Sequence, residues 1–152
     1  MPRPRQRYND CVVAVFRQIT GEDEQTAFMR FFRHLTGDAG ISVDALAACL
    51  KDAGWTLTRH EQARRQVAGS DDPLDEEAFT AFWSDFRGEG VIFYRRDEAT
   101  IGHTVFVQAA GIVLDPQPSA PEEGEFIVDY FKRVGGRITL TSVSTVTRSA
   151  PP

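Results

Sequence analysis

Cys11 is the residue in this 152-residue chain whose position best suits covalent chemistry. It begins an apolar stretch and follows Asn9 and Asp10, whose short side chains are good helix N-caps. A cysteine in the first turn of a helix meets free backbone amides and the positive end of the helix dipole, which favour its thiolate. Cys11 is therefore a candidate nucleophile, although most cysteines are small core side chains. Cys49 fits that core role, because it lies inside the apolar run Ala47-Ala-Cys-Leu.

A nucleophilic thiol needs a base, and the candidates are His34, His60 and His103. The first two are expected in polar helical surroundings, whereas His103 opens a strand directly after a glycine. If Ala109 is the centre of the following turn, His103 and Asp115 lie six residues to either side and face each other across a hairpin. A carboxylate there would orient the imidazole and leave its other nitrogen for a thiol. The alternatives are that Asp115 only starts a turn, or that the register slips by one residue and separates the pair.

Helices are the first elements expected to position these residues. Apolar residues recur at helical spacing in several segments before residue 87, with capping residues or glycines at many of the boundaries. The spacing predicts helices over residues 10–19, 22–35, 43–53, 60–67 and 74–86. Ser42 is the predicted N-cap of the third helix, and Gly21 and Gly54 are predicted to end the first and the third.

The second half of the chain is dominated by strand patterns. Alternating and β-branched residues predict strands over residues 55–58, 91–94, 103–108, 112–114 and 137–147, with one more helix over residues 125–134. Helices first and an antiparallel sheet second is an α+β arrangement. No linker divides the chain, so we expect a single domain over residues 1–148 and a disordered tail over residues 149–152.

The composition limits the classes of function. The chain is 41% apolar and 26% charged, as in an ordinary soluble domain, and two cysteines give no disulfide framework. The net charge is −5 and the sequence pI about 5.2, so neither nucleic acid nor a membrane is an expected partner. No apolar stretch is long enough to span a bilayer, and the first residues do not form a signal peptide. We expect a cytoplasmic protein, or one exported without a cleaved signal peptide.

The order of these parts resembles the papain-like cysteine peptidases, and within them the bacteriocin-processing, double-glycine-leader peptidases. Three stretches carry the resemblance: Asn9-Asp-Cys-Val-Val-Ala, the segment over residues 40–55, and the hairpin from Gly102-His-Thr-Val-Phe-Val to Ile112-Val-Leu-Asp-Pro. It covers roughly residues 6–116. The resemblance implies a papain-like fold, with N-terminal helices packed on a C-terminal antiparallel sheet. It also implies a cysteine peptidase, or a related thiol amidohydrolase or acyl transferase, and by analogy a bacterial toxin or effector is one setting for such a small protein.

The resemblance also implies roles for individual residues. Cys11 would be the nucleophile, His103 the general base and Asp115 the residue that orients it, while Gln6 would be the oxyanion-hole donor. The family usually has glycine where this chain has Val12, and its spacing between histidine and aspartate is longer than the 12 residues here. A peptide or protein substrate is expected, a protein regulator or inhibitor is possible, and no cofactor or metal is implied.

The sequence admits three other interpretations. A catalytically inactive papain-like module could bind a partner through an aromatic row formed by Phe79, Phe82, Trp83 and Phe86. The segments over residues 31–46 and 70–79 have the rhythm of two EF-hands, but they lack calcium ligands in register. A metal site formed by Cys11, His103 and Asp115 is the third alternative, although a catalytic triad explains the same three groups better.

Overall fold

The computed structural model describes residues 4, 11–32, 42–60, 89–97, 102–136 and 138–149. Several sequence predictions lie outside these residues. They are the N-caps Asn9 and Asp10, the candidates Gln6 and His34, most of the predicted helix over residues 60–67, the whole helix over residues 74–86 and its aromatic row, and the EF-hand-like segments for the most part. Within the described residues, no helix combines the length and the apolar character that crossing a bilayer requires.

Four α-helices lie in the described residues. They are α1 (Cys11–Thr20), α2 (Glu24–Phe31), α3 (Val43–Asp52) and α4 (Ile127–Val134). Asp23 caps α2 by accepting the Thr26 amide at 2.7 Å. Ser42 caps α3, as predicted, by accepting the Ala45 amide at 3.2 Å. Gly21 ends α1 with a φ of +77°, a conformation that glycine adopts without steric cost.

Six strands form one antiparallel sheet. They are β1 (Trp55–Arg59), β2 (Glu89–Arg96), β3 (His103–Gln108), β4 (Ile112–Leu114), β5 (Glu125–Phe126) and β6 (Ile138–Arg148). Their order across the sheet is β1-β6-β2-β3-β4-β5. The α+β prediction is confirmed, and the hairpin strands β3 and β4 have the predicted bounds.

The sheet separates two hydrophobic cores. On one face, α1, α2 and α3 pack around Phe16 and Phe31, whose rings meet edge to face at 5.2 Å. On the other face, α4 buries Tyr130 and Phe131 against residues of β2, β3 and β6. The predicted packing of N-terminal helices on the sheet therefore describes one face, and the C-terminal α4 covers the other.

Several element boundaries differ from the sequence predictions, and specific hydrogen bonds account for the differences at residues 125–126 and at His60. Glu125 and Phe126 are not helical, because they pair with Val113 and Ile112 as the edge strand β5. His60 is not in a helix either; it directly follows β1, and its amide donates to the Val143 carbonyl at 2.8 Å. Ser149, the first residue of the predicted tail, donates its amide to the Gly54 carbonyl at 2.8 Å.

Candidate active site

Cys11 is the first residue of α1, as its sequence context predicted. Seven of the ten residues of this helix are buried, and the helix packs against β3. The Cys11 side chain is only 8% exposed, yet it lies at the end of the helix where backbone amides have no partner within the helix. The fold thus directs the N-terminus of a buried helix at the first residues of β3.

His103 and Asp115 come together across the β3–β4 hairpin. The Nε2 atom of His103 lies 2.7 Å from the Oδ1 atom of Asp115. The predicted register is nevertheless wrong, because Phe106 pairs with Leu114 and the turn is centred on Ala110 instead of Ala109. Moving the centre by one residue shifts each pairing by two positions, and a shift of two keeps both side chains on the same face. The contact survives as a diagonal pair.

Cys11 meets the other side of the His103 ring. The thiol and the imidazole are hydrogen-bonded, and because Nε2 faces Asp115, the nitrogen left for the sulfur is Nδ1. Burial alone would raise the pKa of Cys11, but the hydrogen bond and the charge of His103 lower it overall. Burial alone would likewise lower the pKa of His103, but Asp115 and Cys11 raise it to about 9. The arrangement favours a thiolate–imidazolium pair at neutral pH.

Thr104 is a neighbour of the sulfur that the sequence did not single out. Its backbone amide and its hydroxyl both donate hydrogen bonds to Cys11, and both lower the pKa of that thiol. Thr104 is 1% exposed, so these donors act in a site from which water is largely excluded. A threonine inside an alternating strand has no feature that marks it as a thiolate ligand, and only the packing of α1 on β3 reveals the contact.

Asp115 is buried and held by several donors. Its Oδ1 atom also accepts the Gln117 amide at 2.8 Å, and its Oδ2 atom accepts the Tyr130 hydroxyl at 2.6 Å. Burial alone would raise the pKa of this carboxyl group, but His103, Tyr130 and the Gln117 amide keep it below its usual value. Asp115 therefore stays ionised beside the imidazolium.

Tyr94 extends this network beyond Tyr130. The two phenol oxygens are 2.7 Å apart, and the Tyr94 ring meets the His103 ring edge to face at 5.7 Å. Neither tyrosine was predicted from the sequence to belong to the site. Tyr94 lies in a predicted strand, but the pairing of that strand with β3 could not be derived from the residue spacing. Tyr130 lies in the last helix, far from Cys11 in the sequence.

The other predicted candidates lie elsewhere or outside the described residues. Cys49 is a core residue of α3, 1% exposed, and its thiol donates to the Arg30 carbonyl at 3.6 Å. His60 pairs through Nε2 with the Thr145 hydroxyl of β6 at 2.8 Å, and β2 separates β6 from β3 in the sheet. Gln6 is not among the described residues.

The site residues form a row instead of a cage. Cys11 and Asp115 lie on opposite nitrogens of the His103 ring, whereas metal ligands must converge on one point. A row of this order activates a thiol and supplies a proton for a leaving group.

The fold of this chain is similar to that of a known protein structure. The chain is similar to the crystal structure of the peptidase domain of Streptococcus ComA, described as a bi-functional ABC transporter involved in a quorum-sensing pathway. The TM-score is 0.61 over 97% of this chain and 96% of that chain, with 12% sequence identity. The fold is therefore papain-like, and the resemblance drawn from the sequence is confirmed at the level of the fold. No protein-family model and no curated protein matches the sequence.

Proposed function

We propose that this protein is a cysteine peptidase, or a related thiol amidohydrolase or acyl transferase, that cleaves a peptide or amide bond through an acyl-enzyme on Cys11. The observation that carries the proposal is the hydrogen-bonded row from the Cys11 thiol through the His103 ring to the Asp115 carboxylate. A structural core cysteine has no need of an imidazole and a buried carboxylate behind it.

The chemistry follows from the protonation states. The Cys11 thiolate attacks the carbonyl carbon and forms a tetrahedral oxyanion, and His103 then donates its proton to the departing amine as the C–N bond breaks. Neutral His103 next removes a proton from water, and the resulting attack on the thioester releases the acid and returns Cys11 as thiolate beside protonated His103. An amine in place of water would give acyl transfer. Asp115 remains ionised throughout and fixes the orientation of the ring.

The oxyanion requires donors near the N-terminus of α1. The Cys11 backbone amide belongs to the first turn, whose N–H groups lack partners within the helix, so it is a natural donor to the developing charge. The Gln6 side chain remains the predicted second donor. In comparable sites, one such donor contributes about 2.7–4 kcal/mol to transition-state stabilisation.

A peptide substrate is supported by the fold alone. The known structure with a similar fold is a peptidase domain, but a sequence identity of 12% is too low to infer the same substrate for this chain. A double-glycine leader is therefore one substrate to test within a wider library of peptides. Nothing in the described residues supports a toxin or effector role.

Alkylation of each cysteine by iodoacetamide, followed by mass spectrometry, tests whether Cys11 is activated. An ordinary thiol of pKa about 8.5 is only about 1% ionised at pH 6.5, so an activated Cys11 should react far faster than Cys49 at that pH. Unfolded protein is the control, because both cysteines should then react alike. Equal reactivity of Cys11 and Cys49 in the folded protein would contradict the proposal.

Cleavage itself is measured on a peptide library, with the Cys11→Ala variant as the blank. The expected result is a set of new N-termini that the wild type produces and the variant does not. If the wild type forms an alkylated Cys11 rapidly but yields neither new N-termini nor amine-linked products, the site is not a peptidase or transferase of the tested peptides.

A further inference from the structure

Two buried phenols lie behind Asp115 and have no part in the mechanism described above. Tyr130 is fully buried and Tyr94 is 4% exposed. The Tyr130 hydroxyl donates to Asp115 Oδ2 at 2.6 Å, because an ionised carboxylate can only accept. The hydroxyl of Tyr94, 2.7 Å away, must then be the donor to the Tyr130 oxygen. The hydrogen bonds consequently all run in one direction, from Tyr94 to Tyr130 to Asp115.

We infer that Tyr130 is a positioning residue of the candidate site, supported by Tyr94, which holds the Asp115 carboxylate ionised and turned toward His103. The inference rests on the proposed function for its biological meaning. Its physical content is that the Cys11–His103 ion pair depends on a hydroxyl group contributed by α4.

The geometry at Asp115 gives Tyr130 this role. His103 Nε2 and the Gln117 amide both donate to Oδ1, and Tyr130 donates to Oδ2. A carboxylate that is bonded at both oxygens cannot rotate without breaking a bond. With Phe at position 130, a buried oxygen would lose a charge-assisted hydrogen bond, and both the ionised state and the orientation of the carboxylate would be less favourable.

The strand pairing places Tyr94 beside His103 and Tyr130. Tyr94 is directly opposite His103 in the β2–β3 pairing. On its other side, the pairing of β2 with β6 shifts register between Phe93 and Tyr94, and Thr141 Oγ1 donates to the Phe93 carbonyl at 3.0 Å. Irregularities of this kind redirect side chains and are common beside active sites. Here the shift lies next to the residue that supports Tyr130.

Burial keeps both phenols protonated, even though the charges of Arg133 and Arg96 act in the opposite direction on Tyr94. Arg133 of α4 lies 5.5 Å over the Tyr130 ring and is held by Glu125 of β5 at 2.7 Å, while the charge of Arg96 in β2 acts on Tyr94. On the other side of Asp115, the titrating groups are His103 and Cys11. Burial above all raises the pKa of Tyr94 to about 12, and burial together with Tyr94 and Asp115 raises that of Tyr130 further. Both hydroxyls therefore keep their protons across the pH range in which the ion pair exists.

The Tyr130→Phe and Tyr94→Phe variants of the full chain test the inference, because each removes only a hydroxyl group. In Tyr130→Phe, the pH at which Cys11 becomes reactive toward iodoacetamide should rise by about one unit, the size expected for one charge-assisted hydrogen bond. The pKa of His103, followed by NMR, should fall from its value near 9. Tyr94→Phe should shift both quantities in the same directions by less. The low-field NMR resonance of the His103 Nε2 proton should move in both variants.

Two further variants make the result interpretable. Thr145→Val removes a buried hydroxyl that pairs with His60 at 2.8 Å, on a strand two positions from β3, and should leave both pKa values unchanged. Asp115→Asn removes the carboxylate charge and should give the largest shift. If the tyrosine variants melt at lower temperature but retain wild-type pKa values for Cys11 and His103, the phenols are only structural and the inference is wrong.

The inference can fail separately from the proposed function. The His103 titration needs no substrate, so it reports on Tyr130 even if Cys11 in the wild type proves no more reactive than Cys49. If Tyr130→Phe does not fold, Tyr94→Phe decides the question, and an unshifted His103 resonance in that variant would overturn the inference.

Discussion

The start of α1 and the interior of α3 place the same residue type in opposite chemical situations. Cys11 and Cys49 are both on helices, both buried, and both near charged groups. The pKa of Cys11 is lowered, whereas burial and the negative charge of Asp52 raise that of Cys49. Burial by itself therefore does not decide whether a thiol reacts.

The difference lies in what faces each sulfur. Cys11 is the first residue of its helix and meets donors from β3: the His103 ring and both hydrogen-bonding groups of Thr104. Cys49 is the seventh residue of α3, and its sulfur contacts the Arg30 carbonyl, which can only accept a hydrogen bond. A thiolate is stabilised at the first position and destabilised at the second.

Exchanging either cysteine for alanine should give the largest contrast between the two regions. Cys11→Ala should lower turnover by about 10⁴- to 10⁶-fold, the range seen when a member of a catalytic triad is removed. Cys49→Ala should keep turnover within about twofold of the wild type, because it removes only core volume. The measurement is the rate at which new N-termini appear in the peptide library. A larger loss in folded Cys49→Ala than in Cys11→Ala would reverse the assignment of the nucleophile.

His103→Ala should remove the difference in ionisation and leave the difference in location. Without the imidazole, the pKa of Cys11 should return toward that of an ordinary thiol, and its alkylation at pH 6.5 should slow by about 100-fold. The slow alkylation of Cys49 should not change, which makes it an internal control in the same mass spectrum. Wild-type reactivity of Cys11 in this variant would show that His103 does not activate it.

Raising the pH should reduce turnover and bring the alkylation rates of Cys11 and Cys49 closer together. Protonated His103 is the acid for the leaving amine, and because its pKa is raised to about 9, this form is present below pH 9 and lost above it. Turnover should therefore fall by about tenfold per pH unit above 9. Alkylation of Cys11 should persist there, because the thiolate remains, while the small ionised fraction of Cys49 increases with pH even though its pKa is raised. If turnover is flat from pH 8 to pH 10.5, His103 does not donate the proton.

The parts of this contrast that were predictable from the sequence are local. The polar residues before Cys11 and the apolar run around Cys49 distinguished the two cysteines, and glycines with Ser42 located the ends of the helices. The position of both residues in one predicted hairpin also placed His103 near Asp115, although the predicted register was wrong. Ala110 adopts a φ of 69°, which is unusual for a residue with a side chain. An alanine at this position therefore does not indicate the centre of a turn.

The parts that were not predictable depend on contacts between distant elements. Tyr130 reaches Asp115 only because α4 covers the opposite face of the sheet from α1, and Thr104 reaches Cys11 only because α1 packs on β3. Neither residue carries a local pattern that distinguishes it from an ordinary core or strand residue. Periodicity predicts which face of an element is buried, but not which neighbour it meets.

Thr104→Val should produce the smallest effect and the finest test of how the first region differs from the second. The change keeps the branched shape and the backbone amide but removes the hydroxyl donor to Cys11. Loss of one such donor should raise the pKa of Cys11 by about half a unit to one unit and slow its alkylation at pH 6.5 by about three- to tenfold. Thr145→Val is the matched control and should leave the rate unchanged. An unaltered rate in folded Thr104→Val would mean that His103 and the backbone amides stabilise the thiolate without help, and that the hydroxyl of Thr104 serves only the packing of α1 on β3.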